Sequence, residues 1–200
     1  MHGLINRSIQ CFLRDTYGPA IWASVACEAG LGFDSFETML TYEISVTDAV
    51  LDAACRLLDR PRDSLLEDMG TYLVSHENSR PLRRLLRFSG VHYEDFLHSL
   101  EDLPGRARLA LPDFDLPLLD LADLGRGDFL LTCRFPLAGM GHVVVGLLRA
   151  MADEYGALCL VEHRGSGPDG ERVAITLAAP AFAEGRRFDL AAAVPKAGAA

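Results

Sequence analysis

Hydrophobic positions recur at helical spacing through the first half of the chain. Ile5, Ile9, Phe12 and Leu13 share one side of a helix predicted over residues 3–15. Tyr17-Gly18-Pro19 breaks that run and opens a second helix through Trp22 and Val25, closed near Gly30. Residues 36–44 read as a looser, partly extended stretch. A third helix over 46–59 is apolar at Val50, Ala53, Ala54, Leu57 and Leu58, and Arg60-Pro61 punctuates it. Leu65, Leu66, Met69, Tyr72 and Leu73 mark a fourth, and Leu82, Leu85 and Leu86 a short fifth ended by Gly90. Tyr93, Phe96, Leu97, Leu100 and Leu103 predict a further amphipathic helix. Pro104-Gly105 falls where its next inward-facing residue belongs. Proline has no N–H to donate and clashes with the preceding turn, so the helix is expected to stop or kink there. An interior proline costs on the order of 3 kcal/mol.

After residue 112 the pattern changes. Leu116 to Leu121 and Phe129 to Phe135 read as strands separated by Gly125-Arg126-Gly127. Residues 140–154 are helical and apolar nearly all round, at Val143, Val144, Val145, Leu147, Leu148 and Met151, which implies burial on several sides. Leu158 to Glu162 and Arg172 to Leu177 form a predicted hairpin around the turn-rich residues 165–170. From Leu190 the chain is Ala-rich without a pattern. The sequence has no internal repeat and gives no sign of a second domain. The predicted fold class is α+β, a helical N-terminal half packed on a small antiparallel sheet with one central helix. It is read as one domain over residues 1–184 followed by a flexible tail, 185–200.

Composition narrows the function. A net charge of −9 argues against a nucleic-acid partner, because phosphate binding needs clustered cations. Arg80, Arg83, Arg84 and Arg87 are the densest basic group and read as a solvated helix face. No apolar run reaches membrane-spanning length, and the polar start at His2, Asn6, Arg7 and Gln10 lacks a signal-peptide core. Five cysteines without a C-x-x-C pair suggest a reduced, cytoplasmic setting. Catalytic signatures are absent: there is no G-x-S-x-G, and His76-Glu77 and His92 to His98 lack zinc-ligand spacing. Gly139-Met140-Gly141 before a helix hints faintly at phosphate binding, and Glu101 and Asp102 read as solvated neighbours. A non-enzymatic protein is expected.

Several of these features agree in order with one family. The opening Met1-His2-Gly3-Leu4-Ile5-Asn6, Tyr17-Gly18-Pro19 with Trp22, Phe96-Leu97 with Leu100 to Leu103, Pro112 and Pro117, and Val145-Gly146-Leu147-Leu148 resemble H-NOX, the haem-based nitric oxide and oxygen sensing domain also found in soluble guanylate cyclase. The resemblance covers roughly residues 1–180 and implies the H-NOX-like α+β fold. It also implies a pocket lined by Ile5, Ile9, Leu73, Leu97, Pro104, Pro117, Val143 and Leu147. Such domains act on cyclases, histidine kinases or diguanylate cyclases. Two hundred residues leave no room for an attached catalytic domain, so a signalling partner in trans is expected.

The departures from the family carry the functional expectation. The family's helix ends with a histidine that holds the haem iron; here that position is Pro104, whose ring has no lone pair for a metal. The tyrosine-x-serine-x-arginine clamp on the haem propionates falls at Cys133, Phe135 and Leu137. Arg134 lies beside it but, by strand alternation, on the opposite face. No histidine-ligated haem is expected, and no metal. Phe135 and Leu137 make the region greasier, which favours a filled core or an apolar small molecule without carboxylates. His142 and His98 are the outside candidates for a rearranged iron ligand. His98 lies about 9 Å along the axis and roughly 120° around it from Pro104. Cys133 is a further candidate, as a thiolate at the haem edge. Three readings stay open: a sensory domain with an apolar pocket, a haem sensor with a rearranged ligand, and a haem-free interaction module with a filled core.

Overall fold

The computed structural model describes residues 1–87, 90–110 and 116–178. The expected domain boundary at 184–185, the Ala-rich tail and Pro112 lie outside these residues. Eight α-helices and four strands are found among them. The helices are α1 (Gly3–Tyr17), α2 (Pro19–Glu28), α3 (Ile44–Leu58), α4 (Arg62–Ser75), α5 (Arg80–Arg87), α6 (Tyr93–His98), α7 (Leu103–Ala110) and α8 (Met140–Tyr155). The strands are β1 (Leu118–Gly125), β2 (Asp128–Arg134), β3 (Cys159–Gly167) and β4 (Gly170–Leu177), antiparallel in the order β1-β2-β4-β3. This is the α+β architecture that the hydrophobic pattern predicted.

The core is organised around α8, which lies between α4 and the sheet. Its apolar residues run all round the helix, and Val143, Val144, Val145, Leu148 and Met151 are all buried. The sheet meets it with the inward-facing set of each strand: Phe129, Leu131 and Cys133 on β2, Val173 and Ile175 on β4, Val161 on β3. Phe129 pairs with Ile175, Leu131 with Val173, and Val161 with Ile175, so the apolar side chains form contiguous rows. On the opposite side α4 approaches α8 at two glycines. A Cβ on Gly70 would sit 2.0 Å from the Val143 carbonyl oxygen, and one on Gly146 would sit 1.9 Å from that of Glu67. Only hydrogen at both positions lets the backbones come this close.

The expectation for Pro104 changes form. The helical path is not stopped. α6 tightens into a 3-10 turn over Ser99–Asp102, and α7 then continues for two more turns. Pro104 is the second residue of α7, where a first-turn N–H has no partner within the helix to lose. The 3-10 turn relieves the ring's clash with the preceding residues, and the Arg106 Nη2 donates to the Ser99 carbonyl at 2.8 Å. The interior cost expected from sequence therefore does not apply.

Other sequence readings are also revised. Residues 36–43 are irregular around a turn at 38–39, Ile44 already begins α3, and the extended character is confined to a bridge between Thr41 and His2. Buried polar groups on α1 hold this segment and the helix after it: the Phe36 N–H donates to Gln10 Oε1 at 3.0 Å, and Thr47 Oγ1 of α3 donates to Asn6 Oδ1 at 2.7 Å. The arginines of α5 are not simply solvated. Arg83 and Arg87 face Glu154, and the Arg87 guanidinium lies 4.6 Å over the Tyr155 ring. Two cations thus meet the carbonyl end of α8. Glu101, read as solvated, accepts the Leu121 N–H at 2.9 Å and ties edge strand β1 to the helices.

Gly146→Ala should destabilise the protein by about 3 kcal/mol, read as a shifted urea midpoint, because backbone blocks the added methyl. Gly105→Ala is the control. It sits exposed in α7 with nothing within 4 Å of the place a methyl would take, and should be neutral or stabilising by up to about 1 kcal/mol.

Candidate functional site

A cleft of about 690 Å³ opens between the helical half and the open end of the β1–β2 hairpin. The N-terminal segment supplies one wall. The Gly3 N–H donates to the Leu40 carbonyl at 2.7 Å and the Tyr42 N–H to that of Met1 at 2.9 Å, which places Met1, His2 and Ile5 beside Thr41, Tyr42, Glu43 and Ile44. The other wall is Leu116 and Leu118 at the start of β1 with Arg134, Phe135 and Pro136 at the end of β2, held by the pairing of Leu118 with Arg134. Arg108 of α7 completes the lining. Arg134 is the last residue of β2, exposed beside buried Cys133, and Phe135 lies just beyond the strand; both line the cleft. The sequence reading had placed them on opposite faces.

A second polar cluster gathers at the N-terminus of α8. Glu171 accepts the Gly139 N–H at 2.8 Å and the Gly141 N–H at 3.0 Å, so a carboxylate of the protein itself occupies the position where a phosphate was hinted. His163 Nδ1 accepts the Gly165 N–H at 3.3 Å, which leaves Nε2 to donate to Glu171 at 2.9 Å. The His142 ring stacks on His163 with centroids 4.0 Å apart. His142 Nδ1 lies 3.2 Å from Glu67 and Nε2 3.5 Å from Asp63. Arg149 donates both to Glu67 and to the Val161 carbonyl, covering part of edge strand β3. Among the described residues, no group of three or more His, Cys, Asp or Glu is arranged to hold a metal ion.

The haem-NO-binding family model matches residues 2–163. The chain belongs to the H-NOX family. Among curated proteins it is similar to soluble guanylate cyclase gcy-31 of Caenorhabditis elegans, 24% identical over 154 residues that make up 77% of this chain and 22% of that protein. Soluble guanylate cyclase 89Da of Drosophila melanogaster is 22% identical over 155 residues, 78% of this chain and 23% of that protein. The chain thus spans less than a quarter of the length of the curated relatives it matches. Among solved structures, the Fe(II) unliganded H-NOX protein from K. algicida superposes with a TM-score of 0.75 at 19% identity, covering 91% of this chain and 99% of that one. The Fe(II)NO H-NOX protein from S. oneidensis gives 0.74 at 16%, covering 90% and all of its chain. These likenesses establish the fold. None of the described helices is long and apolar enough to cross a membrane.

Most of the H-NOX pocket residues expected from the resemblance belong to the continuous core or pack against it. Ile5 lines the cleft. Ile9, Leu97 and Val143 are buried in the continuous core, with Leu73 and Leu147 packed against it. Pro104 is buried and Pro117 half-buried, flanked by the cleft residues Leu116 and Leu118.

The groups present do not fit haem held in the family manner. Pro104 carries no donor. His98 is exposed and lies edge-on to Phe129, with centroids 5.8 Å apart. His142 is committed to Glu67, Asp63 and His163, at a distance from the residues that line the cleft. Cys133 and Leu137 are buried. Burial, with the Glu171 carboxylate nearby, pushes the Cys133 thiol up to about 12, so it is protonated at neutral pH. The sequence reading passed over His2, whose imidazole lines the cleft and whose Nδ1 accepts the Leu4 N–H at 3.2 Å. It also passed over Arg108. Neither carries a spacing signal, because both reach the cleft only through tertiary packing.

At about pH 8, iodoacetamide should alkylate the exposed Cys27 and leave Cys133 unmodified until the protein is unfolded. Mass spectrometry of the native and urea-treated protein reads this directly.

Proposed function

We propose that this chain is a non-enzymatic H-NOX sensory domain that works without histidine-ligated haem and hands its state to a signalling partner in trans. Membership of the family supports the sensory role. The observation that supports the haem-free part is Pro104, a residue without a metal donor in the first turn of α7, at the position the resemblance matches to the family's proximal histidine. The partner class follows by analogy: the curated relatives are named soluble guanylate cyclases, so a nucleotide cyclase is the first partner to test, with histidine kinases and diguanylate cyclases next. A cytoplasmic setting is part of the same proposal.

The cleft supplies a route for signalling. One wall belongs to the N-terminal helices and the other to the hairpin β1–β2, so an occupant touching both favours one relative placement of the two halves. A partner that recognises that placement reads the occupancy. This is a population shift driven by differential contact, and needs no chemistry.

A second reading, haem held through a rearranged ligand, draws on one observation: His2 lines the cleft. Reconstitution with haemin separates the two. The wild-type protein should show no sharp Soret band above free haemin and no shift with nitric oxide. Pro104→His should gain such a band, weak because Cys133, Phe135 and Leu137 give no propionate clamp. A nitric-oxide-sensitive Soret band in the wild type, lost in His2→Ala, His142→Ala or His98→Ala, would sink the haem-free reading.

A further inference from the structure

We infer that the loop between α2 and α3, residues 32–43, is the surface on which the signalling partner docks, through a basic amphipathic segment. The inference deepens the trans-acting reading above by naming the partner's chemistry, and it holds whether or not haem is bound.

Exposed apolar surface is the first observation. Met39 is 72% exposed, Leu40 54% and Phe33 38%. Leu57, Val91 and Leu109 are exposed too, but each on a separate segment, and single exposed apolar residues are ordinary. Met39 and Leu40 adjoin each other, and Phe33 packs on Tyr42 just beyond them, with ring centroids 5.8 Å apart. Apolar groups gathered in this way mark a contact with another molecule.

Charge decides the kind of partner. The exposed carboxylates of Asp34, Glu37 and Glu43 flank these groups and have no hydrogen-bond or ion-pair partner among the described residues. On the neighbouring helices carboxylates are already matched: Glu28 faces Arg56, Asp48 and Asp52 face Arg62, and Asp68 faces Arg60. Arg7 of α1 does reach the loop, donating to Ser35 Oγ, but one cation against three carboxylates leaves a surplus of negative charge. An apolar centre with a polar rim is the anatomy of a protein interface, and an acidic rim selects Lys and Arg on the incoming segment. The same charge works against a second copy of this loop and against an anionic membrane.

The third observation is that the loop is already ordered. Trp22 Nε1 and Gln10 Nε2 both donate to the Asp34 carbonyl, at 3.0 and 3.4 Å, and the Glu37 N–H donates to the Tyr42 hydroxyl at 2.9 Å. Buried Phe36 stands edge-on to both Phe33 and Tyr42, with centroids 5.1 and 5.0 Å away. A surface held in place beforehand loses little entropy when it binds. Thr41, Tyr42 and Glu43 also line one wall of the cleft, so cleft and docking loop share residues.

The test is calorimetric titration of the full chain with an amphipathic leucine–lysine peptide, using the leucine–glutamate peptide of the same pattern as the charge-reversed match. The lysine peptide should bind saturably and the glutamate peptide should not. Asp34→Asn/Glu37→Gln/Glu43→Gln should weaken binding about tenfold, and Met39→Ser/Leu40→Ser by at least as much. Glu94→Gln/Asp153→Asn/Asp169→Asn removes the same charge from exposed positions elsewhere and should change affinity less than about twofold, which separates docking from general attraction to an acidic protein. Hydrogen exchange on the wild type, which needs no variant to fold, should show new protection in the complex over residues 32–43. The inference fails if the lysine peptide does not saturate, if the two charge variants lose affinity equally, or if the protection lies outside the loop. Dimerisation of the wild type that Met39→Ser/Leu40→Ser abolishes would assign the patch to a second copy and overturn it. A nitric-oxide-sensitive Soret band sinks the haem-free reading and leaves this inference standing, and failure of the peptide to bind at the loop sinks this inference alone.

Discussion

The crossing of α4 and α8 at Gly70 and Gly146 is the constraint on which the rest of the molecule depends. With no side chain at either position the two backbones come into contact, and Thr71 adds a hydroxyl directed at the Gly146 carbonyl, 3.4 Å away. This fixes α8 against the helical half, and α8 in turn carries the sheet on its other side. The cleft lies between those two halves. Interiors are close-packed, so a shift at the crossing would be transmitted and not absorbed.

Electrostatics organises both ends of the same helix. At its start Glu171 accepts two backbone N–H groups and is held by His163, with His142 stacked above and tied to α4 through Glu67 and Asp63. At its end Arg83 and Arg87 meet Glu154 and the Tyr155 ring. Negative charge at the N-terminus and positive charge at the C-terminus are the arrangement the helix dipole favours. Four elements, α4, α5, β3 and β4, thus converge on α8 through polar contacts as well as apolar ones. The histidines that sequence offered as iron or metal candidates belong to this scaffold, or in the case of His98 to an exposed surface.

Pro104 sits in the first turn of α7, where a proline is structurally inexpensive, and the family fold is kept around it. Arg108, four residues on, lines the cleft. Cys133 and Leu137 are buried, while Arg134, the last residue of β2, lines the cleft.

Local pattern was enough for the elements themselves. The all-round apolar run of α8 announced a central, buried helix, the alternation at Phe129, Leu131 and Cys133 announced a strand facing it, and Pro104 announced that no imidazole stands there. These properties depend on residue type and short-range spacing, which a sequence displays. What Pro104 does to its helix, which arginine faces the cleft, and which anion caps α8 were settled only by tertiary structure. Each depends on groups distant in the chain: Ser99 and Arg106 around the proline, the end of β2 beside β1, and Glu171 brought back by the hairpin to Gly139. Close backbone approach at Gly70 and Gly146 is of the same kind. A glycine is visible in the sequence, but the neighbour that forbids a methyl group there is not.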